Sequence, residues 1–131
     1  MIGMSIWHEL NLNPLGKRIG DCAVRAIASA LDIDWYQAYA LLCTEGYKQC
    51  DLPNSDSVWG NVLRQHGFKR YIVPNTCSDC YNVIDFAYDH SDNNIYVLGF
   101  GGHVAVLKNG FLLDSWDSSM ELPIFYWTKE K

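Results

Sequence analysis

The period of the chain changes near residue 94, and that change limits what the chain can fold into. The runs 94–100 and 103–108 are β-branched and apolar, and Gly101-Gly102 separates them. A third run, 111–116, follows Asn109-Gly110, a dipeptide that tolerates positive φ at both positions and closes two-residue hairpins. Upstream the spacing is helical. Ala23, Val24, Ile27, Ala28 and Leu31 recur at the three-to-four interval of a helix with a buried face. Helices first and antiparallel strands afterwards is an α+β order. The expected fold is one domain over residues 1–131, with no repeat or linker, in which N-terminal helices pack on a C-terminal antiparallel sheet.

Residues 1–21 show no sustained period. Asn11, Asn13, Pro14, Gly16 and Gly20 suggest turns or an irregular strand. The first helix ends near Leu31. Asp32 and Asp34 offer caps for a second helix reaching about Cys43, with Trp35, Ala38, Tyr39 and Leu42 on one face. Residues 46–56 read as a polar connection, and Asp56 or Ser57 caps a third helix that stops at Gly67. A strand over 68–73, a short helix over 79–88 and a last strand over 124–127 complete the expectation.

Composition removes several classes of function. The net charge of −5, with 10 Lys and Arg and no basic run, argues against nucleic-acid binding and favours neutral or basic substrates. No stretch has the length and apolarity of a membrane span, and the N-terminus lacks the regions of a signal peptide. Five cysteines, an odd number without a secretion signal, point to free thiols in a reducing, cytoplasmic setting.

The chemistry concentrates around Gly20-Asp21-Cys22-Ala23-Val24-Arg25-Ala26-Ile27-Ala28. With Asp21 as N-cap, Cys22 falls in the first helical turn, where unpaired N–H groups and the helix dipole favour a thiolate. Such a nucleophile needs a base, and His103 is the candidate. If Asn109 and Gly110 form the turn, strand alternation puts His103, Ala105, Leu107, Leu112, Asp114 and Trp116 on one face of the hairpin. Asp114 is then diagonal to His103 and suited to orient it. Asp117 takes that role only if a bulge shifts the register. Gly101 and Gly102 would let a substrate backbone approach, and Trp116 would line the groove. Asn11 or Asn13 could aim an amide at an oxyanion, or simply bond their own turn backbone.

The stretch around Cys22, with Gly102-His103-Val104-Ala105-Val106 and Leu113-Asp114-Ser115-Trp116-Asp117, resembles small papain-like cysteine peptidases. The likeness is to C39-like proteins of the kind found as uncharacterised phage or mobile-element proteins. The resemblance implies a nucleophile at Cys22, a base at His103 and an orienter at Asp114, acting on a peptide, isopeptide or related amide without a cofactor. The family's oxyanion glutamine lies some six residues before the nucleophile, where this chain has Gly16. Asn11, Asn13 or backbone N–H groups would replace it. A non-catalytic binding or inhibitory protein on the same fold, directed at a host factor, is the alternative.

Cys77-Ser78-Asp79-Cys80 has the spacing of half a zinc site, which Cys43 and Cys50 could complete. The wide gap between Cys43 and Cys50 and the apolar helical setting of Cys43 favour reduced structural cysteines and no metal. His8, His66 and His90 read as surface groups.

Overall fold

The computed structural model describes residues 5–74 and 81–129. In chain order the elements are β1 (Trp7–Glu9), α1 (Cys22–Leu31), α2 (Trp35–Gln49), α3 (Asp56–Gln65) and β2 (Phe68–Ile72). There follow α4 (Val83–Asp89), β3 (Ile95–Gly99), β4 (Val104–Lys108), β5 (Phe111–Asp114) and β6 (Phe125–Lys129). The strands form one sheet of order β1-β5-β4-β3-β6-β2. The protein is α+β, as the change of period implies.

Asn109 (φ 54°) and Gly110 (φ 81°) form the two-residue turn, and the pairs Leu107↔Leu112 and Lys108↔Phe111 have the register expected of it. The sheet is less purely C-terminal than its sequence suggests. β1 pairs in parallel with β5, and β2 closes the other edge against β6. Three residues are too few to show a period. β1 is held by its backbone instead: Leu112 N–H donates to Ile6 O at 2.8 Å and Leu10 N–H to Asp114 O at 2.9 Å. It covers an edge that would otherwise be open.

Both faces of the sheet are buried. Helices α1, α2 and α3 pack with Val97, Val104, Val106, Phe125 and Trp127 on one side. On the other, α4 sets Val83 and Phe86 against Tyr96, Leu98, Leu107 and Leu112. Burial from two sides explains why β3 and β4 read as continuous apolar runs rather than alternating ones.

Helix α1 is central. Ala23, Val24, Ala26, Ile27, Ala28 and Ala30 are all buried, more than one face's worth. Cys22, Arg25 and Ser29 form its less buried stripe, at helical spacing. Helix α2 runs on to Gln49, past the expected end near Cys43. Within the extension only Glu45 and Gly46 are buried. Glu45, 6% exposed, accepts from Gln49 Nε2 at 2.7 Å, Asn61 Nδ2 at 2.8 Å and Gln65 Nε2 at 3.2 Å, tying α2 to α3. Next to it Gly46 lets the returning chain cross closely, because a Cβ there would sit 2.8 Å from Asp51 O. Gly46→Ala is therefore expected to destabilise the fold by about 1–3 kcal/mol despite Ala's better helix propensity. A urea midpoint unchanged by the substitution would show that the chain crosses Gly46 less tightly.

Among the described residues no helix is long and apolar enough to cross a membrane.

Candidate active site

Two elements bring the reactive groups together. β1 lies along β5, so the segment 10–21 passes over the end of the sheet before entering α1 at Cys22. From the other direction, the Gly101-Gly102 turn delivers His103 directly ahead of β4. Phe100 N–H donates to His103 O at 2.9 Å across that turn, and Gly102 has φ +93°. A side chain on Gly101 or Gly102 would meet nothing within 4 Å, so the turn leaves open space beside the imidazole.

His103 Nε2 lies 2.7 Å from Asp114 Oδ2. With Nε2 engaged by Asp114, Nδ1 is the ring nitrogen left to act on Cys22, whose thiol the His103 side chain holds below its ordinary value. The Val104 N–H favours the thiolate as well. The β4–β5 ladder runs only from Val106↔Leu113 to Lys108↔Phe111, which frees that N–H for it. Cys22, at the start of α1, and His103 thus border one cleft, with Asp114 at the end of β5 behind the imidazole.

Charge is stabilised across these three groups. Burial pushes the Cys22 thiol up, but the His103 hydrogen bond, the Val104 N–H and the positive charges of His103 and Arg25 bring it below its ordinary value. Burial likewise disfavours the imidazolium. The hydrogen bonds from His103 to Asp114 and Cys22, with their charges, outweigh that and raise it to about 9. Asp114, 1% exposed, would be pushed up by burial, yet His103, Ser118 and the Ser115 N–H hold it below the usual carboxylate range. Asp117 is exposed and takes the Ser119 N–H at 3.1 Å, so the carboxylate facing His103 is Asp114.

Asp21 occupies the N-cap position, but its side chain does not cap α1. Arg25 Nε donates to its Oδ1 at 2.9 Å, and Trp35 Nε1 and Asn13 Nδ2 donate to its Oδ2 at 3.0 and 3.2 Å. The first-turn N–H groups of α1 are consequently left without a side-chain partner beside Cys22. Arg25 also reaches across to Asp114, Nη1 to Oδ1, at 3.2 Å. One buried guanidinium therefore joins the residue before the nucleophile to the carboxylate behind the base.

Asn13, expected as an oxyanion donor, is buried in the loop ahead of α1. Its amide N–H is on Asp21, and its Oδ1 takes the N–H groups of Leu15 and Lys17 at 3.0 and 3.3 Å. Asn11 borders the cleft, but its amide donates to Lys17 O at 3.0 Å. Both are loop-building residues, as short amides in turns commonly are. Trp116 is where the hairpin alternation puts it, 43% exposed with its ring 5.0 Å from the imidazole. Cys22, Gly102, His103 and Trp116 border an open cleft of about 370 Å³.

Arg25, Ser118 and Trp35 belong to the site and were not assigned to it from sequence. Arg25 had a readable signal, a charged residue inside a helix otherwise buried nearly all round. Ser118, which donates to Asp114 at 2.7 Å, had none in its Ser-rich loop. His90 differs from the surface reading, being half-buried and stacked on Phe86 at 3.9 Å.

Cys43 is half-buried on α2, and Cys50 is exposed at its left-handed C-cap. Cys77 and Cys80 lie outside the described residues. Among those described, no three His, Cys, Asp or Glu side chains are grouped to hold a metal ion. The chain matches no protein-family model, no curated protein and no solved structure.

Proposed function

We propose that the protein is a papain-like thiol hydrolase that cleaves a peptide, isopeptide or related amide through an acyl-thioester on Cys22. The observation that carries this reading is a cleft bordered by both Cys22 and His103, with the imidazole held at 2.7 Å by buried Asp114. The Cys22 thiolate attacks the substrate carbonyl, and the oxyanion forms against the first-turn N–H groups of α1. Imidazolium gives its Nδ1 proton to the leaving amine as the C–N bond breaks. Neutral His103 then takes a proton from water, whose oxygen attacks the thioester and expels the thiolate. Asp114 keeps the ring oriented in both steps.

The test is alkylation by iodoacetamide. Cys22 is expected to react faster than exposed Cys50 below pH 7, because its thiolate is held down by His103 while His103 stays protonated up to about 9. His103→Ala should shift the onset of labelling to higher pH and leave the far-UV spectrum unchanged. Peptide mapping with Cys22 no faster than Cys50 would remove the nucleophile.

A second reading is a non-catalytic binding or inhibitory protein on the same scaffold. It draws on the two loop asparagines, each of which donates within the loop, to Asp21 and to Lys17 O. An electrophilic peptide probe that never forms an adduct on Cys22 would decide for it.

A further inference from the structure

The chain is acidic, with net charge −5, and on that balance alone an anionic substrate would be disfavoured. The cleft has a different balance. Each carboxylate close to the reactive groups already has a partner. Glu9 is held by Arg18 Nη2 at 2.6 Å. Asp21 has Arg25 on one oxygen and Trp35 and Asn13 on the other. Asp114 is buried and receives His103, Arg25, Ser118 and the Ser115 N–H. Asp117, next to Trp116, turns to the Ser119 N–H and does not border the cleft.

The cations are matched in the same way, except for one. Arg18 is pinned between Glu9 and Ser115 O, the latter at 2.9 Å, and Arg25 lies between its two aspartates. Lys17 borders the cleft and is exposed, and among the described residues its ammonium forms no ion pair. Its backbone builds the loop, with the N–H on Asn13 and the carbonyl accepting from Asn11. The side chain has no such duty.

We propose that the cleft selects amide substrates bearing a carboxylate within a residue or two of the scissile bond, and that Lys17 is the residue that reads it. This rests on the thiol-hydrolase reading above. An incoming carboxylate meets an exposed ammonium at the cleft border, while Asp21 and Asp114 are buried and turned to Arg25 and Asp117 lies outside the cleft lining. A lysine stem is long and mobile enough to follow the ligand. The local field, not the net charge of the chain, sets the preference.

Iodoacetate and iodoacetamide differ by one negative charge, and with either the Cys22 thiolate forms an S–CH2 bond while iodide leaves. The rate ratio of iodoacetate to iodoacetamide is expected to be higher at Cys22 than at Cys50 of the same molecule. Lys17→Glu should lower the Cys22 ratio by about three- to tenfold at low ionic strength, with the difference shrinking as salt is added. Chloromethyl ketone peptides with Glu or Gln beside the reactive carbon should rank the same way. A ratio unmoved by Lys17→Glu, or equal rates for the Glu and Gln probes, overturns the proposal while brisk iodoacetamide labelling leaves the hydrolase reading standing. Sluggish labelling of Cys22 by every reagent overturns both.

Discussion

An Asp114→Asn variant is expected to lose on the order of 10³-fold in kcat/KM on an activated amide or ester substrate. Cys-His-Asn sites work on other scaffolds, so the argument rests on what faces this carboxylate. His103 Nε2, Arg25 Nη1, Ser118 Oγ and the Ser115 N–H all approach it, and Arg25 and the Ser115 N–H are donors whatever the state of the histidine. A carboxylate accepts all four. An amide whose oxygen stays with Arg25 and the Ser115 N–H turns its NH2 to Ser118 Oγ, which can accept, and to His103 Nε2, which accepts only in the tautomer with its proton on Nδ1. Neutral Nδ1–H cannot take a proton. Labelling of Cys22 by iodoacetamide should survive better than turnover, because the Val104 N–H and the helix N-terminus still favour the thiolate. Turnover within threefold of the parent, in a variant of unchanged melting temperature, would remove Asp114 from the mechanism.

What the sequence made legible follows the range of the interactions involved. The Asn109-Gly110 turn is local, and from its register alone His103, Asp114 and Trp116 could be placed together. Cys22 at the start of α1 was legible for the same reason, since an apolar helical period has a beginning. The polar groups around these residues were not. Asp21 reads as a cap because caps are acids before apolar helices, yet Arg25 and Trp35 compete for its carboxylate through tertiary packing. The last turn of α2 reads as a loop because Glu45 and Gly46 are poor core residues in isolation. Only the amides of α3 and the close return at Asp51 show why they are buried. β1 was legible only as turns or an irregular strand, because backbone pairing with β5, not a side-chain pattern, makes it a strand.

Arg25 is where fold and site depend on the same side chain, and Arg25→Met should cost about 3–5 kcal/mol of stability at pH 7. The guanidinium side chain is 10% exposed, and its partners Asp21 and Asp114 are 5% and 1% exposed. Methionine fills much of the space but leaves both carboxylates buried with less to hold their charge. The exposed pair Arg18–Glu9, with side chains 61% and 55% exposed, gives the contrast, and Arg18→Met should cost no more than about 1 kcal/mol. The two losses also differ in their dependence on pH. In the parent, Asp21 and Asp114 are held below their unfolded values, so they contribute stability above the ordinary carboxylate range and lose it as pH falls through the folded values. Without Arg25, Asp21 loses the partner that most offsets its burial, while Asp114 keeps His103, Ser118 and the Ser115 N–H, so the change falls mainly on Asp21. The gap between parent and Arg25→Met should therefore be widest near pH 7 and narrow towards pH 4. A gap of constant size would mean that Arg25 acts through packing of its stem instead of its charge. Arg25→Lys separates these further, since it restores the charge but cannot span Asp21 and Asp114 with one planar fork. Urea midpoints of the three variants at pH 4 and pH 7 measure the difference. If Lys recovers stability but not Cys22 reactivity at low pH, the fork itself holds Asp114 in line with His103.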